Sequence, residues 1–446
     1  MNSAGNFRIL ILFRIANVLH GQPGIQRMSR EIFVYGGWES LGKDIMIGTL
    51  RADVLRGKEV FSFEYDNDWL NSHANCVLDP DLQFYKGRQY THDDKTLFGV
   101  FTDSCPDRWG RILMKRREAL SATDEGRPVR TLLESDYLLG IHDQARMGAL
   151  RFKTRTDGPF LDTDSGHPIP VWTSIRELEH AAVNIDSETG DEKTERDWIR
   201  ILVQPGSSLG GARPKATVQD TEGRLWIAKF PSRKDEFNTG AWEMVIHQLA
   251  LKCHIDVPEA RCGSYSETGS TFMARRFDRT SKNGRLHYLS AMTVLGRTDG
   301  QNAAEGSGYL DIASAIKEYG SKPREDLLEL WKRIVFSIAV NNTDDHLRNH
   351  GFLFDSKGLR LSPMFDVNPN PDGTALSLNI DDSSNAMDFD LAISVAPFFD
   401  ISRDVASATV SEIKENIASW SYIARGLGIG NSEISMMGKC FKSKFH

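Results

Sequence analysis

Eleven consecutive residues, Asn341-Asn342-Thr343-Asp344-Asp345-His346-Leu347-Arg348-Asn349-His350-Gly351, hold two carboxylates, two imidazoles and three asparagines. An apolar helical pattern over about Glu325–Val340 precedes them, and a hairpin-like Gly351–Pro363 follows. The hairpin runs into a further carboxylate, Asp366. Polar groups this dense between apolar runs are costly to bury unless they are paired or used. Three uses compete. His346 and His350 are four apart and could share a helix face around zinc, but no Glu follows His346 as in His-Glu-x-x-His, and Gly351 works against a long helix. The aspartates and asparagines could be caps in a polar loop. The third use is a phosphoryl-transfer centre. Asp344 to Asn349 spans five positions, the interval from the aspartate to the asparagine of a kinase catalytic loop. The carboxylate there orients an acceptor hydroxyl and receives its proton. The asparagine supplies an oxygen to Mg²⁺. Asp366, seventeen residues beyond Asn349, falls where a second metal carboxylate is needed. Asp345 has a histidine, His350, at the five-residue interval, so Asp344 is the better base.

Other segments must bring a nucleotide to that centre. Gly206-Ser207-Ser208-Leu209-Gly210-Gly211-Ala212-Arg213-Pro214-Lys215 is rich in glycine and hydroxyls. Glycines let backbone N–H groups converge on an anion, although no Gly-Lys-Ser/Thr closes a Walker A motif here. The patterns at Ala216–Gln219 and Leu225–Phe230 predict a hairpin about Glu222-Gly223, with Lys229 on its second strand. A strand lysine just past a glycine-rich hairpin is where protein kinases keep the residue that meets ATP phosphates, and equally where a lysine can snorkel. A helix predicted over Asn238–Cys253 carries Glu243, a possible partner for Lys229. Thr271–Phe277 reads as a strand leading to a nucleotide hinge. Glycine-rich loop, strand lysine, hinge strand and metal-binding loop stand in kinase order, and that joint order is far more specific than any member.

The rest of the chain supplies bulk. Its 446 residues suffice for two or three domains at about 150 residues each. With 40% hydrophobic and 26% charged residues the composition is that of a globular protein. A net charge of −7 argues against broad nucleic-acid binding. Five cysteines form no Cys-x-x-Cys pair, which suits a reducing cytoplasm. No run approaches the ~18 apolar residues that span a bilayer, so no membrane role is expected. Strands are predicted at Glu31–Trp38, Ile45–Leu50 and Val60–Tyr65, and a helix over Asp103–Ala119 entered through Asp103. Residues 1–30 read as an extension.

In these motifs the chain resembles the HipA family, the serine/threonine kinase toxins of bacterial toxin–antitoxin pairs. Gly206–Lys215, Leu225–Pro231, Phe277-Asp278-Arg279, Thr343–Asn349 and Pro363–Asp366 carry the resemblance, with Pro106–Gly110 and Asp136–Phe152 in the N-terminal region. It implies an α+β, bilobal protein-kinase-like fold with an added N-terminal β-rich subdomain and a mainly helical C-terminal lobe. The expected divisions are 31–155 for the N-terminal subdomain, 156–280 for the lobe with the glycine-rich loop, and 281–446 for the helical lobe. The resemblance makes Asp344 the catalytic residue, and Asn349 and Asp366 the Mg²⁺ ligands. ATP would be bound by Lys229, by Ser207, Ser208, Leu209, Gly210, Gly211 and Ala212, by Arg275, Arg276 and Phe277 at the hinge, and by His346. Ser208 matches the serine that such kinases autophosphorylate, where added charge would oppose ATP phosphates. The implied partners are a protein substrate and a HipB-like helix-turn-helix antitoxin, with indirect contact to operator DNA. Residues 1–30 have no counterpart in the family, and Arg275 stands where it usually has an acidic residue. A small-molecule phosphotransferase on this scaffold, or an inactive module that binds a DNA-bound antitoxin, are the alternatives.

Overall fold

Strict alternation builds the opening sheet. The computed structural model describes residues 29–442 except 74, 75, 77, 93, 162–168, 172, 173, 187–196, 200, 201, 203–210 and 212. Within β1 (Ser29–Gly36), Ile32 and Val34 are wholly buried and Phe33 and Tyr35 only partly so. The strand joins β2 (Ile45–Leu55), β3 (Lys58–Tyr65), β4 (Gln89–Tyr90) and β5 (Leu150–Lys153) in an antiparallel sheet of order β4-β3-β2-β1-β5. Leu55 pairs with Lys58 across Arg56-Gly57, whose φ angles of 52° and 79° are those of a two-residue hairpin turn that follows the strand twist.

The helix expected from Asp103 begins five residues later, as α1 (Arg108–Asp124). Asp107 is its cap, accepting from the Gly110 N–H at 2.8 Å. Pro106 is the reason: it disfavours helical backbone at Cys105 and forces a new start. Asp103 is not a cap there but an anchor, accepting from the N–H and hydroxyl of Ser290 at 2.7 Å each.

A second antiparallel sheet comprises β6 (Lys215–Gln219), β7 (Leu225–Lys229), β8 (Ala260–Gly263) and β9 (Thr271–Arg275), ordered β6-β7-β9-β8. On one face Ala216, Val218, Trp226 and Ala228 form a core with Trp109 and Leu113 of α1 and with Leu178 and Ala182 of α2 (Ile175–Asp186). The other face turns Ile227, Lys229 and Phe272 toward Glu243 and Ile246 of α3 (Thr239–Lys252).

The remainder is mainly helical. It contains α4 (Tyr309–Tyr319), α5 (Pro323–Val340) and α6 (Arg403–Ile417). A small sheet, β10 (Tyr288–Ser290), β11 (Gly351–Asp355) and β12 (Gly358–Leu361), stands beside them. Pro323 opens α5, where its missing N–H costs nothing, and Leu327, Leu330, Trp331, Ile334 and Ile338 are buried along it. Buried residues of the first sheet, α3 and the helical lobe form one continuous cluster, so packing runs across residues 155 and 280. The architecture is α+β and bilobal. No described helix is long and apolar enough to cross a membrane.

Candidate active site

The polar run begins where α5 must stop. Asn341 caps that helix in the left-handed conformation, φ 56°, which asparagine tolerates. Its Nδ2 donates to the carbonyls of Asn370 at 2.6 Å and Gly373 at 3.0 Å, which aims the chain into the cleft. Asn349 then folds back, its Nδ2 donating to the Asp344 carbonyl at 2.8 Å. That bond leaves Asn349 Oδ1 buried with no hydrogen-bond partner among the described residues.

The two adjacent aspartates part company. Asp345 is buried and accepts from the Tyr309 hydroxyl at 2.6 Å, with His350 Nε2 at 3.2 Å from its other oxygen. Burial pushes its pKa up, but His350 and the Tyr309 bond hold it below the ordinary value. Asp344 instead opens to solvent. The cleft walls desolvate its carboxyl and raise its pKa; His346 opposes the rise, and Asp366 and Asp345 add to it. His350 is thus part of the Asp345 scaffold, whereas His346 lines a cleft with Asp344. That cleft, about 360 Å³, also takes in Arg108, Gly211, Asp299 and Arg348. Arg348 lies 3.5 Å from Asp299 and Arg108 lies 4.0 Å from it.

Lys229 joins the two lobes. Its Nζ donates to Glu243 Oε1 at 2.6 Å and to Asp366 Oδ1. Asp366 has φ 58°, a conformation that L residues adopt only at a cost, so the surrounding structure holds this carboxylate where it is. Burial pushes the Asp366 pKa up, yet the charges of Lys229 and then Lys215 bring it down to about 2. Glu243 has its pKa raised by burial, against the Lys229 charge. Beside this triad lies an apolar pocket lined by Ile227, Phe272, Ala274, Phe277 and Met364.

Of the expected hinge residues, Phe277 lies against Phe365, with ring centroids 5.2 Å apart and planes tilted by 37°. Arg275 lies 3.7 Å from Glu259 and lines the pocket. The Arg276 guanidinium is committed elsewhere, to the carbonyls of Ala145 at 2.6 Å and Arg146 at 2.8 Å and to both oxygens of Asp278. Arg276 also borders the pocket. Ser207, Ser208, Leu209, Gly210 and Ala212 lie outside the described residues. Gly211 is described, with φ +86°.

The residues present fit a hard divalent cation. Asn349 Oδ1 is a buried oxygen with no hydrogen-bond partner among the described residues, and Asp366 is a carboxylate whose pKa the Lys229 charge holds down to about 2. Asp107 and Lys215 were not anticipated as site residues. Their signals in the sequence were an aspartate directly after Pro106 and a lysine that closes the glycine-rich run just before the predicted strand.

Comparison with known proteins places the chain in a family. Residues 41–135 match the family model of the HipA N-terminal domain, and residues 207–421 that of the HipA-like C-terminal domain. The candidate kinase Y4mE of Sinorhizobium fredii (strain NBRC 101917 / NGR234) is 27% identical over 182 residues, 36% of this chain and 41% of that protein. A candidate kinase of Haemophilus influenzae (strain ATCC 51907 / DSM 11121 / KW20 / Rd) is 23% identical over 195 residues, 39% of this chain and 57% of that one. The chain thus spans about half the length of the curated relatives it matches. HipA of Shewanella oneidensis MR-1, solved in a complex with HipB and its operator DNA, superposes with a TM-score of 0.61 at 16% identity. That match covers 91% of this chain and 94% of the other, and it shows a shared fold. With the family's N- and C-terminal domains both matched in order, the chain belongs to the HipA family.

Proposed function

We propose that this protein is an ATP- and Mg²⁺-dependent serine/threonine protein kinase. The observation that carries the reading is Lys229 held between Glu243 and Asp366 in the lining of an apolar pocket. The adenine enters that pocket and meets the backbone of Arg275–Phe277. Lys229, His346 and the backbone of 207–212 take the phosphates. Asp344 orients a serine or threonine hydroxyl. It receives the proton as the hydroxyl oxygen bonds to the γ-phosphorus and the bond to ADP breaks. Asn349 Oδ1 and the Asp366 carboxylate would hold Mg²⁺, whose contribution when bound is to neutralise phosphate charge. Positioning and charge supply most of the acceleration.

The same reading makes Ser208 an autophosphorylation site and the cytoplasm the place of action. Residues 31–155 serve as the N-terminal subdomain, 156–280 as the nucleotide lobe and 281–446 as the catalytic lobe, with 1–30 an extension. The partners proposed are a protein substrate and a HipB-like helix-turn-helix antitoxin, through which the kinase contacts operator DNA indirectly. The Shewanella HipA complex with HipB and operator DNA supports that choice.

Incubation with [γ-³²P]ATP tests it. The wild-type chain labels itself or a co-incubated protein, and Asp344→Asn does not. Labelling that survives Asp344→Asn would refute the assignment.

A further inference from the structure

Lys215 and Lys229 stand directly opposite each other in the β6–β7 pair. Residues so paired project from the same face of a sheet, and like charges there repel unless each is answered by an anion. Lys229 is answered by Glu243 and Asp366. Lys215 is answered from the N-terminal region: its Nζ donates to Asp107 Oδ2 at 2.9 Å, across a sequence separation of 108. The two side chains are 2% and 1% exposed, so this pair is out of reach of solvent.

Asp107 is bonded through both carboxylate oxygens. Its other oxygen caps α1 through the Gly110 N–H. That helix is fixed to the sheet by Trp109 and Leu113, which share a core with Ala216 and Val218 on the opposite side of β6. The Lys215 ammonium meanwhile lies 3.5 Å from the Gly211 carbonyl. A Cβ added to Gly211 would stand 3.4 Å from it. Gly211 lines the cleft that contains Asp344. The charge of Lys215 also reaches Asp366, whose pKa it helps to lower.

We propose that Asp107 is a positioning residue of the nucleotide site: it holds the buried Lys215 ammonium on the sheet face that also carries Lys229, so that its charge, without contact, adds to that of Lys229 on the phosphates of a bound nucleotide. This rests on the kinase reading above. It makes the N-terminal region a working part of the nucleotide site, acting through Lys215 without touching the nucleotide. A mere fold staple would affect stability alone, so the test reads nucleotide binding.

Asp107→Asn removes the charge but keeps the size and the capping oxygen, because asparagine caps as well as aspartate does. Calorimetry with Mg²⁺ and the non-hydrolysable analogue AMPPNP should show affinity falling about tenfold, the usual scale for losing a supporting partner. The KM for ATP should rise more than kcat falls. Lys215→Met should weaken binding too, and adding Asp107→Asn to it should weaken binding no further. Asp107→Ser, which also caps α1, repeats the measurement if Asp107→Asn fails to fold. Wild-type affinity in a folded Asp107 variant overturns the proposal, as does additivity in the double variant. A wild-type chain that binds no Mg²⁺–AMPPNP fails at the earlier step, and removes the kinase reading and this proposal with it.

Discussion

Asn349 is tied to Asp344 by a bond from side chain to backbone, Nδ2 donating to the Asp344 carbonyl at 2.8 Å. The five-residue interval between them is thereby closed into a ring. The closure consumes the amide nitrogen of Asn349 and the backbone of Asp344, leaving Asn349 Oδ1 and the Asp344 carboxylate for chemistry. Asn349→Ala removes both the brace and the free oxygen. Phosphotransfer should fall about 10²-fold, and the Mg²⁺ needed for half-maximal rate should rise. A Mg²⁺ titration of the rate checks this; a curve identical to wild type would contradict the metal assignment.

On the proposed kinase reading, Asp344 should set the acid limb of the pH profile. A base must be deprotonated to work, and the Asp344 pKa is raised above its ordinary 3.8 by the desolvating cleft walls and by Asp366 and Asp345, against His346. Activity should therefore fail as pH drops through a value on the alkaline side of 3.8. Asp344→Asn should cost on the order of 10²–10⁴ in kcat. A kcat/KM profile flat down to pH 3.8 would exclude Asp344 as the titrating base.

Asp366 should make stability depend on acid. Its folded pKa is depressed to about 2 from an ordinary 3.8. The group's contribution is fully present above 3.8 and is lost as pH falls through that value toward 2. It amounts to something on the order of 2 kcal/mol, since one pKa unit is about 1.4 kcal/mol. Urea unfolding between pH 6 and pH 3 should show a steeper loss for wild type than for Asp366→Asn. Parallel curves would show that Lys229 does not hold this carboxylate in solution.

Lys229→Met leaves Glu243 and Asp366 without their shared cation. Breaking a buried pair by removing one member costs about 3–5 kcal/mol, and the destabilisation should be read from the same urea series. Nucleotide binding should be lost as well. Lys229→Met with Glu243→Gln should be less destabilised than the single variant, because one orphaned charge is gone.

Tyr309→Phe separates Asp345 from Asp344. It removes the 2.6 Å bond to the buried Asp345 carboxylate and should cost about 1–3 kcal/mol of stability. The KM for ATP should hardly change, since Tyr309 faces the scaffold side of the loop. A large rise in that KM, with the fold intact, would place Asp345 in the nucleotide site.

Local pattern made much of this legible. The β1 alternation, the α5 stripe, the Asn238 cap of α3 and the Gly351–Pro363 hairpin are written in residues close in sequence, where periodicity and caps act. The start of α1 was misplaced because Asp103 and Asp107 are both competent caps. Choosing between them needed Ser290, which holds Asp103 across a separation of 187 residues. The resemblance puts Arg276 among the ATP-binding residues at the hinge. Burial commits its guanidinium elsewhere, since donors enclosed there must be satisfied on the nearest carbonyls and on Asp278.

The sequence alone determined the order of the motifs, the five-residue interval that prefers Asp344 to Asp345, and hence the family resemblance. These are properties of spacing, which the chain carries before it folds. Only the tertiary structure decided which polar side chains answer one another: Lys229 with Glu243 and Asp366, Asp345 with Tyr309 and His350, Lys215 with Asp107. Ion pairs form between side chains that packing desolvates together, and no spacing in a linear chain records that a strand lysine and a helix cap will be buried against each other.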